Sequence, residues 1–276
     1  MAPALYLVAT PIGNLGDVTL RALETLASAD IVACEDTRVT RVLLSRYGMR
    51  RKLTAYHEHN EAEAAPRLIA AIGEGRSVAL VSDAGTPLVS DPGYRLVRQA
   101  NEAEIQVVPV PGASAVLAAL SASGLPTDAF FFAGFLPPKE SRRKSRLEEL
   151  RTVPGTLVFF ESPRRLAAAL AAMADCLGNR PAAVGRELTK LYEEMRRGKL
   201  GDLADAFKAR ESLKGEIVVV VGPPEAAAPQ AAELDTLLLS LSRDMPASKA
   251  AAEAARLTGG SRPELYRRLL ALKSGA

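Results

Sequence analysis

A chain of 276 residues holds one large or two medium domains with room for a small appendage. Hydrophobic residues make up 48% and charged residues 24%, and no apolar run approaches the roughly 20 residues of a bilayer-spanning helix, so a helical membrane protein is excluded. The net charge of +3 conceals two basic clusters: six basic and no acidic residues from Thr37 to Lys52, and five basic against one acidic from Lys139 to Arg146. Such clusters on a nearly neutral chain point to a polyanionic partner, nucleic acid first, although solvated helix faces would look the same. Met1 to Ala9 has no basic segment ahead of its apolar stretch, so no secretory signal is expected. Cys34 and Cys176, far apart in apolar or helical surroundings, read as free thiols of a cytoplasmic protein.

The first predicted strand is Leu5-Tyr6-Leu7-Val8-Ala9, and the loop Ala9-Thr10-Pro11-Ile12-Gly13-Asn14-Leu15-Gly16-Asp17 follows it. Its two glycines let a ligand approach the backbone ahead of the helix marked by Leu20, Leu23, Leu26 and Ala27. It lacks the GxGxxG spacing of a dinucleotide site, and a bare turn is the plain alternative. Ile31-Val32-Ala33-Cys34 is a short strand. Glu35-Asp36-Thr37-Arg38 after it reads equally as a salt bridge or a substrate clamp. A basic helix, the strand Leu53 to Tyr56 and a helix ending near Gly73 come next. His57-Glu58-His59 with Glu61 lacks a third ligand at metal spacing, so these are taken as surface residues and no metal is expected.

Val78 to Val81 is a buried strand, and eleven residues after it, 83 to 93, hold two Asp, two Gly and two Pro. Loops of this kind at the carboxyl ends of strands are where open α/β sheets bind ligands. Asp83 to Pro87 has no other local explanation. Asp91, by contrast, fits a helix cap with Pro92 in the first position. The strand Gln106 to Val110 leads into Pro111-Gly112-Ala113-Ser114-Ala115, where Ser114 can cap a helix or meet a ligand. Unalternating apolar runs joined through helices predict a parallel sheet covered on both faces, and the three loops should converge on one of its edges.

Ser121 to Thr127 reads as an interdomain linker, which puts the first domain at 1–122 and a second α/β domain at 123–224. Strands are predicted at Phe130 to Gly134, Thr156 to Phe160, Ala182 to Val184 and Glu216 to Val221. Glu161-Ser162-Pro163-Arg164-Arg165 and Arg186-Glu187-Leu188-Thr189-Lys190 bring charge to strand ends facing a cleft between the domains. Gly222 to Pro229 is a second linker. From 230 to 276 the pattern is helical, with Leu234, Leu237, Leu238 and Leu241 on one stripe and a capping box at Ser261-Arg262-Pro263-Glu264 after Gly259-Gly260. A helix-turn-helix and a plain helical cap both fit.

Leu7 to Leu15, Ala33 to Arg38, Val81 to Pro87, Pro111 to Ser114 and Arg186 to Lys190 together resemble the tetrapyrrole methylase family, over essentially the whole chain. The resemblance implies two α/β domains with S-adenosylmethionine in the cleft, a homodimer and a small helical domain. Where the porphyrin-precursor branch carries a Gly-Asp-Pro type loop, this chain has Ser82-Asp83-Ala84-Gly85-Thr86-Pro87. That departure points to the RNA-modifying branch, for which the resemblance implies 2′-O-methylation of a cytidine in the decoding centre of 16S rRNA, free or in the small ribosomal subunit. The family pattern places Pro11, Ile12, Gly13, Asp83, Gly85, Thr86, Ser114 and Ala115 against the cofactor, with Phe160, Leu188 and Glu216 on the second-domain wall. Glu35, Asp36, Glu161, Glu187 and Lys190 are candidates for proton transfer, and Arg38, Arg164, Arg186 and Lys190 for phosphate or ribose. A tetrapyrrole C-methyltransferase and a non-catalytic RNA-binding assembly factor are the competing readings.

Overall fold

Short apolar runs at Leu5–Val8 (β1), Ile31–Cys34 (β2), Val78–Val81 (β4) and Val107–Val110 (β5), with Leu53–Ala55 (β3), pair in the order β3-β2-β4-β1-β5 in the computed structural model. Every pairing in this sheet is parallel. The structure describes residues 1–224, 231–258 and 260–274, and the chain divides into two compact units, Met1–Pro223 and Pro224–Ala276.

Helices cover both faces of this sheet, as unalternating strands require. Leu20–Ser28 (α1) and Thr37–Arg46 (α2) bury Ala22, Leu26, Leu43 and Leu44 on Val8, Val32, Cys34 and Val81. Glu61–Gly73 (α3) and Tyr94–Glu102 (α4) bury Leu68, Ile72 and Leu96 on Leu5, Ala33 and Leu80. All five strands therefore end on one edge, which carries the loops after β1, β2, β4 and β5. An isolated bridge between Thr10 and Gly85, with amide bonds of 2.8 and 3.0 Å, ties the first of these loops to the third. The Thr86 hydroxyl donates to the Ala113 carbonyl at 3.4 Å and links the next pair.

Asp91 does not cap a helix. α4 begins three residues later, at Tyr94, with Gly93 at φ 135° as its N-cap and no side-chain cap. Leu88 at φ 72° and Ser90 at φ 66° turn the chain through left-handed conformations, so that Leu88 packs beside Gly93 and Asp91 lies in a cavity wall.

Ala115–Ser123 (α5) follows the parallel sheet in sequence but packs on a second one, with Val116, Ala119 and Leu120 against Val158, Ala183, Val218 and Val220. Ser121 to Ser123, read as linker, form its last turn, and Gly124 at φ 77° ends it. The second sheet has the order β6-β7-β10-β8-β9, from Phe130–Phe135 (β6), Thr156–Glu161 (β7), Pro181–Arg186 (β8), Glu194–Lys199 (β9) and Ile217–Val221 (β10). It is mixed rather than parallel: β6–β7 is parallel and the other three pairings are antiparallel. β9, Glu-Met-Arg-Arg-Gly-Lys, was not foreseen, because it is a charged edge strand with no apolar run. Glu140–Leu150 (α6), Leu166–Leu177 (α7) and Leu200–Lys208 (α8) cover the face opposite α5.

In the second unit, Ala231–Asp244 (α9), Ala247–Thr258 (α10) and Arg262–Ser274 (α11) share a core of Leu238, Ala250, Ala251, Ala254, Leu265 and Leu269. Arg268 joins α11 to α9 through Asp235 at 2.6 Å. Residues 225–229 of the expected linker, residue 230 of the expected helical part, and Gly259 lie outside the described residues.

Candidate active site

Two adjoining cavities open at the carboxyl edge of the parallel sheet. The first, of about 390 Å³, lies between that edge and the second sheet, at the lower end of the range for small-molecule sites. Ile12, Gly85, Thr86, Ser114 and Ala115 supply one wall; Phe160, Glu161, Leu188 and Glu216 supply the other. Gly85, at φ 81°, could not carry a side chain without strain, and a Cβ there would stand 3.4 Å from Ile12 Cγ2. Ser114 is both wall and N-cap, accepting the Leu117 amide at 3.4 Å. The positive end of α5 therefore points at the cavity.

The second cavity, of about 320 Å³, lies on the other side of Ile12, Ala84 and Glu216, which line both. Pro11, Gly13, Asp83, Lys190 and, from α2, Val39, Val42 and Leu43 also line it. Lys190 comes from the loop after β8, where Glu187 (φ 51°) and Thr189 (φ 68°) are both left-handed, a conformation that non-glycine residues hold only when their surroundings over-determine it. Here the surroundings are specific. Thr189 Oγ1 accepts the Asn14 amide at 3.1 Å, and Lys190 Nζ donates to Glu187 at 2.9 Å and Glu216 at 3.1 Å. Glu187 also accepts the Glu216 amide at 2.9 Å. Burial pulls the Lys190 ammonium down, but the bonds to Glu187 and Glu216 outweigh it and its pKa is raised. Glu187 is held below its usual range by the Lys190 bond and the Glu216 amide. Lys190 is thus a fixed cation and a poor base.

The remaining candidates separate by their partners. Asp36 caps α2 and takes Arg38 in a forked pair at 2.6 Å, which holds its carboxyl at about 2. Glu35 is raised by burial and by Asp83, and lines neither cavity. Glu161 reaches the first cavity, but its fully buried side chain accepts the Ser162 amide at 2.7 Å and pairs with Arg165 at 3.2 Å. Arg186 binds Glu194 at 3.2 Å and the Lys214 carbonyl at 3.1 Å, joining β8 to β9. Arg38 and Arg164 are exposed. Asp83 accepts the Asp36 amide at 2.9 Å and faces the second cavity instead of the first.

Asp91 was missed as a site residue because its Pro-Gly context imitates a helix start. It lines the first cavity. Burial, then Glu35 and Asp83, push it up to about 6 against the bond from Ser82. Its folded pKa exceeds the ordinary 3.8, so the folded state holds more proton between those values. Stability is therefore lost as pH rises through that window, and the full cost is present above it. Asp91→Asn should be more stable than the parent above pH ~7 by about 1–2 kcal/mol, part of the shift being screened by solvent, and equal to it below pH ~4. Thermal melts of both proteins across pH check this. A constant difference at all pH values would refute it.

Among the described residues no cluster of three or more His, Cys, Asp or Glu could hold a metal ion, and no helix is long and apolar enough to cross a membrane.

A parallel α/β layer and a mixed one, meeting at a loop-lined cavity, define the tetrapyrrole methylase fold. Residues 4–204 match the family model described as Tetrapyrrole (Corrin/Porphyrin) Methylases. A cobalt precorrin-4 methyltransferase of cobalamin biosynthesis superposes with a TM-score of 0.59 at 19% identity, covering 79% of this chain and 95% of that one. Residues 228–273 match the RsmI C-terminal HTH domain. The chain is 69% identical to the ribosomal RNA small subunit methyltransferase I of Mesorhizobium japonicum, over 99% of this chain and 93% of that protein. It is 47% identical to the protein of that name from Pseudomonas aeruginosa, over 98% and 97%. The chain belongs to the ribosomal RNA small subunit methyltransferase I family.

Proposed function

We propose that this protein transfers the methyl group of S-adenosylmethionine to the ribose 2′-oxygen of a cytidine in the decoding centre of 16S rRNA. In this reading it works as a cytoplasmic homodimer on that RNA or on the small ribosomal subunit. Residues 1–122 and 123–224 each supply a wall of the cofactor site, and 230–276 form a helical appendage. The observation that carries the reading is the pair of cavities sharing Ile12, Ala84 and Glu216, one loop-lined and apolar, the other flanked by a basic helix. The names of the relatives support the RNA substrate. Exposed Phe130 and Phe131 on edge strand β6 support a second copy.

The first cavity fits the cofactor in chemistry as well as volume. Val116, Phe160, Leu188 and Ile217 offer an apolar bed for an adenosine. The positive end of α5 suits a carboxylate, and Asp91 an ammonium. The close passage of Gly85 past Ile12 leaves the loop backbone bare. Bound there, S-adenosylmethionine supplies a methyl carbon made electrophilic by its sulfonium. The chain's own residues then have three tasks. The loops after β1, β4 and β5 fix the donor side through backbone geometry, and this positioning supplies much of the rate. Lys190, held by Glu187 and Glu216, presents a fixed positive charge to the hydroxyl oxygen, where negative charge grows as the oxygen–carbon bond forms. Glu216, lining both cavities, is the carboxylate placed to accept the hydroxyl proton.

Labelled S-adenosylmethionine incubated with small ribosomal subunits from cells lacking the modification should put label on a ribose 2′-oxygen. Cofactor binding without labelled RNA would overturn the reading. Label on a tetrapyrrole carbon would establish the competing enzyme class.

A further inference from the structure

We infer that the second cavity is a pocket for a nucleotide turned out of its RNA stack, with the valine side of α2 as the face against which the base lies. The inference deepens the function proposed above and rests on it. A ribose 2′-hydroxyl faces the shallow minor groove of an RNA helix, whereas the first cavity is recessed between the loops of one sheet and the wall of the other. A nucleotide that reaches so recessed a site leaves its stack, and enzymes that act on an extruded base give it a pocket of its own. The second cavity is separated from the first only by Ile12, Ala84 and Glu216, and its volume of about 320 Å³ is of ligand size.

Its lining sorts into two ends. Glu216 stands at the wall shared with the first cavity, where a ribose hydroxyl belongs, and holds Lys190 beside it at 3.1 Å. Val39, Val42 and Leu43 stand on α2. Val39 is 43% exposed and Val42 61%, so neither side chain is taken up by the domain core. The same helix carries Arg38 and Arg41, both exposed and adjacent to the valines. Apolar side chains beside guanidinium groups complement a base and the phosphates on either side of it.

The test uses the full chain, small ribosomal subunits lacking the modification, and an RNA fragment carrying 2-aminopurine next to the target cytidine. Val42→Asp should raise KM for the subunits about tenfold or more, since a charge then faces the base. S-adenosylmethionine affinity by calorimetry should stay within about twofold and melting temperature near that of the parent. The rise in 2-aminopurine fluorescence seen with the parent, the sign of an unstacked neighbour, should be lost. Val42→Thr, nearly the same shape, should fall between. An unchanged KM would overturn the inference, and so would a parallel loss of cofactor affinity, which would make the second cavity part of the cofactor site. Absence of RNA methylation by the parent protein would be a failure of the proposed function itself, and is read separately.

Discussion

Lys190→Met should lower kcat by about 10²–10³ while leaving S-adenosylmethionine affinity within a few-fold of the parent. The methionine keeps the length and apolar stem of the side chain and removes only the ammonium. In the parent that ammonium is 2.9 Å from Glu187 and 3.1 Å from Glu216, and its raised pKa keeps it charged. The lysine therefore acts by its charge. The rate should fall at every pH between about 6 and 9, without a new pH optimum, because no titration of Lys190 lies in that range. A base would behave differently, with activity rising along its own titration curve. The substitution also leaves Glu187, whose side chain is 19% exposed, without its cation, at a cost of about 1–2 kcal/mol. Glu187 keeps the Glu216 amide, so the loop stays formed. Single-turnover kinetics with small subunits, calorimetry with the cofactor and a thermal melt separate these effects. A loss of cofactor affinity as large as the loss of rate would place Lys190 in the cofactor site instead.

The parts of this site that were legible in the sequence are those written in residue type. Gly13, Gly85 and Gly112 stand just beyond apolar strands, and glycine at a strand end is informative because few other residues let a backbone come so close. Asp83 was legible as a loop residue but not in its direction: only the fold shows that it takes the Asp36 amide and turns to the second cavity. Asp91 was misread because left-handed Leu88 and Ser90 carry no signature, while Asp-Pro ahead of a helix does. α5 is Ala-Val-Leu-Ala-Ala-Leu-Ser-Ala-Ser, apolar nearly all round, so its sequence could not say which sheet it covers. β9 has no apolar run at all. Glu161 and Arg165 look like strand-end charges facing a cleft. Their pairing over a fully buried carboxylate is a tertiary fact.

Gly13→Ala should lower turnover nearly as far as Lys190→Met, although it changes one methyl group on a different loop. A Cβ at Gly13 would lie 2.5 Å from Lys190 Cγ, 2.7 Å from Cε and 3.0 Å from Cδ. The backbone there is pinned by the Thr10–Gly85 bridge and the Asn14–Thr189 bond, so the flexible lysine stem must give way, carrying Nζ off Glu216. Gly13 also has φ 151°, which costs a non-glycine residue about 1–3 kcal/mol whatever surrounds it. Gly48 at φ 70° and Gly75 at φ 89° separate strain from displacement, since a Cβ at either meets nothing within 4 Å. Gly48→Ala and Gly75→Ala should lose stability of the same order, about 1–2 kcal/mol, and keep full turnover. The double variant decides the mechanism. If Gly13 matters because it leaves room for Lys190, then Gly13→Ala in the Lys190→Met background should cost little further rate, since the charge to be displaced is already gone. Multiplying losses in the double variant would mean that Gly13 contributes on its own, through its backbone approach to the ligand, and that the lysine contact is incidental.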